Sequence, residues 1–232
     1  MAEPTEKPVV MLLSLKGEPH FDTMYSNLLA HLSTNARIKA SNSASATLDH
    51  LAANQPAAIL ITDAALVGGA APRSDAFASV LEKLNGYVRA GGTAVFCCHF
   101  ASYAPPVDGA LDGFFADAFG LPWRRGSYYR TTFALNAAAA RHVGQAQQRR
   151  RRLAAAYSQK AVHLRDVESA QAVYLPTAES KLESLVFTAE SIEDREQTPV
   201  AWARVGEGWV GYVGDVNAEE ESDEVILAMC GL

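Results

Sequence analysis

The stretch Gly91-Gly92-Thr93-Ala94-Val95-Phe96-Cys97-Cys98-His99-Phe100-Ala101-Ser102 closes a helix, runs through an apolar strand and ends on two thiols and an imidazole. A Gly-Gly pair is a helix stop, and a short unbroken apolar run is the mark of a strand covered on both faces, as in parallel sheets. Outward from it the pattern recurs. Val9 to Leu15 and Ala57 to Asp63 are two more such runs, and Arg37 to Ser43 is a weaker strand between them. Helical spacing fills the gaps: Tyr25, Leu28, Leu29 and Leu32 within Phe21 to Leu32; Leu48 and Leu51 in a helix from Thr47; Phe77, Val80, Leu81, Leu84 and Val88 behind a Ser74-Asp75 cap. Asp108 to Phe119 continues the series with Leu111, Phe114, Phe115 and Phe119 on one stripe. Strand and helix alternating in this way predict an α/β protein whose mostly parallel sheet lies between helices.

Beyond residue 120 the character changes. Tyr128 to Leu135, Ala161 to Val167, Leu185 to Ala189 and Val200 to Val205 read as strands, and Glu207-Gly208 turns the last of them back into Trp209 to Val213 as a late antiparallel hairpin. A terminal helix over Ser222 to Leu232 is expected, with Ser222 as its cap and Val225, Ile226 and Met229 packed inward.

The chain has 232 residues, long enough for one sizeable α/β domain over residues 1–232, with 1–8 expected to be flexible. Hydrophobic residues make up 49% and charged residues 20%, an ordinary balance for a folded soluble protein. A formal charge of -6 argues against general nucleic-acid binding, which rests on an excess of Lys and Arg. The run Arg149 to Arg152 is the local exception and reads first as a solvated face. Three cysteines, two of them adjacent, make no disulfide framework, and the polar start MAEPTEKP has no apolar leader. No apolar segment approaches the roughly 18–20 residues a membrane span needs. A cytoplasmic protein is the expectation, with no membrane contact. Two-fold homodimers are the commonest oligomers, so a homodimer is expected.

In an open parallel sheet, ligands bind beyond the carboxyl ends of the strands. The residues there are Lys16 to His20, Asp63, Cys98 with His99, and Gly214-Asp215-Val216-Asn217. A nucleophile elbow needs small residues two positions either side of its tip. Centred on Cys98 those flanks are Phe96 and Phe100; centred on His99 they are Cys97 and Ala101, which places His99 at the tip with Cys98 behind it. Strand alternation points Cys97 into one face as a small hydrophobe and Cys98 the other way. An imidazole with a pKa of about 6.5 suits acid–base work, so His99 is the first catalytic candidate, with Cys98 as thiol and Asp215 as orienting carboxylate. His20, Asp63 and Asn217 are candidates to bind a ligand. Asp63 and Asp215 read equally as caps of their own turns. The acidic run Glu219-Glu220-Glu221 with Asp223 and Glu224 reads as charge favouring a helix N-terminus. No ligand spacing marks a metal site, and no cofactor is implied.

The Ala57 to Asp63 strand, the Gly91-Gly92 strand and its turn, Pro199 to Arg204, and Gly206-Glu207-Gly208-Trp209-Val210-Gly211-Tyr212-Val213-Gly214-Asp215 together resemble the class I glutamine amidotransferase-like superfamily. Within it the likeness is to the trehalose-utilisation (ThuA-like) branch, which has a glycine-flanked histidine where amidotransferases place the nucleophilic cysteine. The resemblance implies a flavodoxin-like three-layer sandwich over roughly residues 9–230. It implies for an active amidotransferase a Cys elbow and a C-terminal His-x-Glu pair. Here the counterpart of that pair is Asp215-Val216-Asn217, and no histidine follows His163. The expected protein thus lacks glutaminase activity and binds a small molecule at the carboxyl rim of the sheet. The alternative is a small-molecule hydrolase or transferase that uses His99 with Cys98.

Overall fold

The computed structural model describes residues 6–68, 73–104, 109–143, 152–183, 188 and 190–232. The chain first lays down β1 (Val9–Leu13), α1 (Phe21–Met24), α2 (Ser26–Asn35), β2 (Arg37–Ser41), α3 (Ala44–Ala53), β3 (Ala58–Ile61), α4 (Asp75–Arg89) and β4 (Thr93–Phe96). It continues with α5 (His99–Tyr103), α6 (Ala110–Phe119), β5 (Arg124–Leu135), α7 (Ala137–Ala140) and β6 (Ala156–Arg165). It ends with β7 (Ala172–Pro176), β8 (Val200–Val205), β9 (Gly208–Val213) and α8 (Glu220–Met229). The strands form one sheet in the order β2-β1-β3-β4-β9-β8-β7-β5-β6.

The first five strands in that order are parallel, so β2-β1-β3-β4-β9 has the doubly wound, flavodoxin-like arrangement. Strand alternation divides their side chains between two cores. Met11, Leu13, Ile59, Ile61 and Phe96 pack under α4 and α6 with Val80, Leu84, Val88, Phe114 and Phe115. Val10, Leu12, Leu60 and Val95 pack on the other face with Leu28 and Leu32 of α2 and Val225 and Met229 of α8. Both faces are thus covered, which is why β3 and β4 are wholly buried and, apart from Thr93 at the start of β4, apolar.

The remaining pairings, β9-β8-β7-β5-β6, are antiparallel. The late hairpin is therefore the start of a wider antiparallel half. Its turn needs Gly206 at φ 61° and brings Gly208 so close to α4 that a Cβ there would lie 2.1 Å from the Val88 carbonyl oxygen. This half curls back on itself. The far edge of β6 meets the ends of the hairpin: Val162 N–H donates to the Gly214 carbonyl at 2.9 Å, Leu164 and Thr198 exchange backbone hydrogen bonds, and Val216 N–H donates to Lys160 at 3.0 Å.

Two local expectations need correction. The helix over Phe21 to Leu32 breaks at Tyr25, whose φ of −104° and ψ of 26° separate α1 from α2. Ser222 does not cap the last helix: Glu219 holds the cap position, and Ser222 lies buried in the first turn with its hydroxyl 3.2 Å from that of Tyr157. The helix begins earlier because the Asp215 carboxylate already accepts the Glu219 N–H. Residues 185–187 and 189 of the expected Leu185 to Ala189 strand, Asp108, and Arg149 to Arg151 lie outside the described residues; Arg152 is described and exposed.

Candidate functional site

β4 ends at Phe96, Cys97 N–H donates to Ile61 across the strand end at 3.1 Å, and the chain then reverses through Cys98. Cys98 has φ 57° and ψ −130°, a conformation that costs a side-chain-bearing residue about 1–3 kcal/mol and persists only where the surroundings impose it. The tip of the elbow is therefore Cys98, and His99 is the first residue of α5. The bulky flanks that argued against this do not crowd the turn. Phe96 and Phe100 lie against each other, ring centroids 4.9 Å apart, within the aromatic cluster of Phe114 and Phe115.

The positive φ also cancels strand alternation. Cys98 joins Cys97 in the same core, only 2% exposed, and its Sγ lies 3.6 Å from that of Cys97. Burial, reinforced by the neighbouring thiol, pushes Cys97 well above the usual thiol range. No hydrogen bond joins either thiol to an imidazole or a carboxylate among the described residues.

His99 is 4% exposed and boxed by rings, edge-on to Tyr25 at 5.1 Å, Tyr103 at 5.3 Å and Phe21 at 5.8 Å. Its Nε2 lies 3.4 Å from Met24 Sδ and its Nδ1 has no hydrogen-bond partner. Burial lowers its pKa, and the carboxylates of Glu18 and Asp63 oppose that shift. The imidazole is thus neutral at neutral pH.

Two residues that the sequence placed elsewhere belong to this neighbourhood. Tyr25 read as a core residue on a helical stripe, yet its buried hydroxyl has no hydrogen-bond partner. Burial pushes that phenol far up, helped by Cys98, Cys97, Asp215 and Asp223 around it. Asp223 read as one of several acids at a helix start, yet it is 2% exposed and pushed up to about 7 by burial, then by Asp215, Glu224 and Glu220. Neither is legible from spacing, because only the break at Tyr25 and the packing of α8 on α2 bring them together.

The other candidates divide. Asp63, 1% exposed, accepts from Lys16 N–H at 2.6 Å, Ala65 N–H at 3.0 Å and the Ser14 hydroxyl at 3.3 Å, which ties the loop after β1 to the end of β3. Asp215 accepts from Asn217 and Glu219 N–H, each at 2.8 Å, and burial still raises its pKa above the ordinary carboxylate range. Asn217 is exposed; with its amide turned so that the oxygen faces Arg130, it accepts from that guanidinium at 2.7 Å. Arg130 also pairs with Glu219. His20 is exposed on the loop after β1, at φ 61°. The fold sets His99 near Asp63 and Glu18, and Cys98 near Tyr25, but no hydrogen bond links His99, Cys98 and Asp215 into a relay.

Among the described residues no group of three or more His, Cys, Asp or Glu side chains is arranged to hold a metal ion. No described helix is long and apolar enough to cross a membrane. Surface cavities of about 470 Å³, beside Arg37, Lys39 and His50, and about 560 Å³, beside Leu135, Arg152 and Ala228, both lie away from the elbow.

The sheet order, the strained turn after β4 and the helix on each face define a flavodoxin-like α/β protein with a nucleophile-type elbow. The same fold occurs among solved structures. Over 98% of its length the chain matches a ThuA-like protein of Bacteroides uniformis, covering 92% of that chain with a TM-score of 0.56 and 9% identity. A ThuA-like protein of Parabacteroides merdae matches over 97% and 88% of the two chains, with a TM-score of 0.53 and 8% identity. A β-galactosidase of the haloarchaeon Halorubrum lacusprofundi matches 98% of this chain with a TM-score of 0.54 and 16% identity, but only 31% of that enzyme is covered. No family model and no curated protein matches the chain by sequence. The fold is one the chain shares with these two ThuA-like proteins. At such identities the likeness is one of fold, and function has to be argued from the site.

Proposed function

We propose that this chain is a ThuA-like, amidotransferase-like protein without glutaminase activity, which binds a small molecule at the carboxyl rim of its parallel sheet. The observation that carries the reading is the inward turn of the elbow thiol. Cys98 is buried against Cys97, with no base hydrogen-bonded to it, whereas a nucleophilic thiol needs an adjacent base and access to substrate. Where an active amidotransferase carries His-x-Glu, Asp215 holds its own loop instead. The rim above offers aromatic and polar surface: Tyr103, 47% exposed, stands edge-on to His99, with exposed His20 nearby on the loop after β1. The β-galactosidase likeness, confined to under a third of that enzyme, also fits a unit that need not carry chemistry itself.

The test has two arms. The native protein is expected to release no ammonia from glutamine and to react with iodoacetamide at Cys98 far more slowly than the urea-unfolded chain. Fast, selective alkylation of Cys98 at neutral pH, together with glutaminase activity lost in Cys98→Ser, would overturn the reading. For binding, a thermal-shift screen of small carboxylates, amides and sugars is expected to give a stabilising compound whose effect disappears in Tyr103→Ala. A shift that survives this substitution moves the site off the rim.

One observation favours the alternative of a hydrolase or transferase. His99 is a neutral, buried imidazole with a free Nδ1 and two carboxylates bordering it, a suitable general base. Under that reading His99→Ala abolishes turnover of any substrate found, and unchanged rates remove it.

A further inference from the structure

The antiparallel half buries three polar side chains that the site does not use. β5 and β6 pair with Tyr129 opposite Ala161, Thr131 opposite Gln159 and Phe133 opposite Tyr157, so Tyr129 and Phe133 share a face with Gln159, Ala161 and His163. Gln159 and His163 are both fully buried, at 0% exposure. Among the described residues, neither ring nitrogen of His163 and not the buried hydroxyl of Tyr129 has a hydrogen-bond partner; the Gln159 amide makes no close hydrogen bond and bears only weakly on the Tyr157 hydroxyl of its own strand. The His163 ring lies edge-on to Tyr129 at 4.2 Å and to Phe133 at 5.2 Å.

Buried polar groups in folded proteins are nearly always hydrogen-bonded, to protein or to ordered water, because an unpaired one carries its full desolvation cost. Five unpaired atoms on three side chains of one sheet face therefore point to a partner that the chain itself does not supply. Its chemistry follows from theirs. Burial lowers His163 to about 3 and raises Tyr129 to about 12, so both are neutral. With the Gln159 amide they present N–H and O–H donors together with nitrogen and oxygen acceptors, and no net charge. An anion would face the acceptors, and a cation would lack any carboxylate or thiolate in the set. A small neutral molecule that both donates and accepts fits all three, and water is the one always at hand.

We propose that Tyr129, Gln159 and His163 line an internal hydration site, where ordered water completes the hydrogen bonds these side chains do not make within the chain. The site lies on β6, the strand whose far edge is joined to the Asp215 loop by the Ala161–Asp215 bridge.

A high-resolution crystal structure of the full chain, with oxygen-17 relaxation dispersion in solution, tests this. Density for at least one water within hydrogen-bond distance of the Gln159 amide or the His163 ring is expected. The count of long-lived waters is expected to fall in the volume-conserving variant Gln159→Leu/His163→Phe. Nitrogen-15 shifts of His163 in the unaltered protein provide a readout that does not depend on the variant folding, and a neutral, hydrogen-bonded ring is expected. Density empty of water with an unchanged water count, side chains turned to pair with one another, or a ring free of hydrogen bonds would each overturn the site.

Discussion

The two halves of the sheet treat buried polarity in opposite ways. In the parallel half β3 and β4 are apolar but for Thr93 at the start of β4, and polar groups gather at their carboxyl ends, where Asp63 is met by two backbone N–H groups and a hydroxyl. In the antiparallel half, polar side chains lie within the strands themselves: Gln159 and His163 are as buried as Ile59 or Val95. A parallel strand covered on both faces by helices leaves no route for water, so its stability rests on packing. A curled antiparallel sheet with a polar interior rests on hydrogen bonds and on the protonation state of a histidine. Perturbations should therefore register as packing loss in the first half and as pH dependence in the second.

The largest effect is expected from Phe96→Ala. Phe96 is fully buried beside Phe100, Phe114, Phe115 and Phe119, and truncating such a ring costs about 3–5 kcal/mol, readable as a lowered urea midpoint. A much smaller loss would mean that the two halves are packed alike. Next comes Gly214→Ala at the seam between them. The new Cβ would lie 2.0 Å from the Val162 carbonyl oxygen, and the overpacking is expected to cost about 1–3 kcal/mol and to loosen the loop that carries Asp215. Amide hydrogen exchange at Val162 checks the second part, since its N–H donates to the Gly214 carbonyl.

The pH arm sharpens the contrast. His163 falls from an unfolded pKa of about 6.5 to about 3, so the unfolded chain binds the extra proton. Its contribution is complete above pH about 6.5 and is lost as pH falls, about 2 kcal/mol between 6.5 and 5. His163→Phe should remove that acid sensitivity. Asp223 works in reverse. Its folded pKa is raised to about 7, so it favours the fold at low pH and loses that contribution as pH rises through the range from about 4 to 7. Asp223→Asn should thus stabilise the protein at pH 8, by on the order of 1 kcal/mol. Equal and parallel pH profiles for the two variants would contradict both assignments. The smallest effect belongs to Arg37→Ala, which removes a 3.2 Å pair with Glu6 between two well-exposed side chains and is expected to change stability by less than about 0.5 kcal/mol.

Much of this was legible in the sequence. Apolar runs at Val9, Ala57 and Thr93, separated by helical stripes, determine a mostly parallel sheet between helices, because a strand covered on both faces reads as a near-continuous apolar run; the flavodoxin-like arrangement comes from the family resemblance. The turn signal at Glu207-Gly208 marks the hairpin for an equally local reason, although the turn itself is Gly206-Glu207 and Gly208 already opens β9. The candidate rim residues after β1, β3, β4 and β9 follow from the same pattern. What each rim residue does was not legible. The flanks Phe96 and Phe100 read as too bulky for an elbow at Cys98, and only the aromatic cluster that receives both rings makes Cys98 the tip. Tyr25 and Asp223 are far apart in the chain and carry no shared spacing, so their meeting behind the elbow had to come from the packing of α2 against α8. Residue spacing encodes local periodicity and hence which faces are apolar. The conformation of a strained turn and the partners of a buried polar atom depend on contacts remote in sequence, and only the tertiary structure decides them.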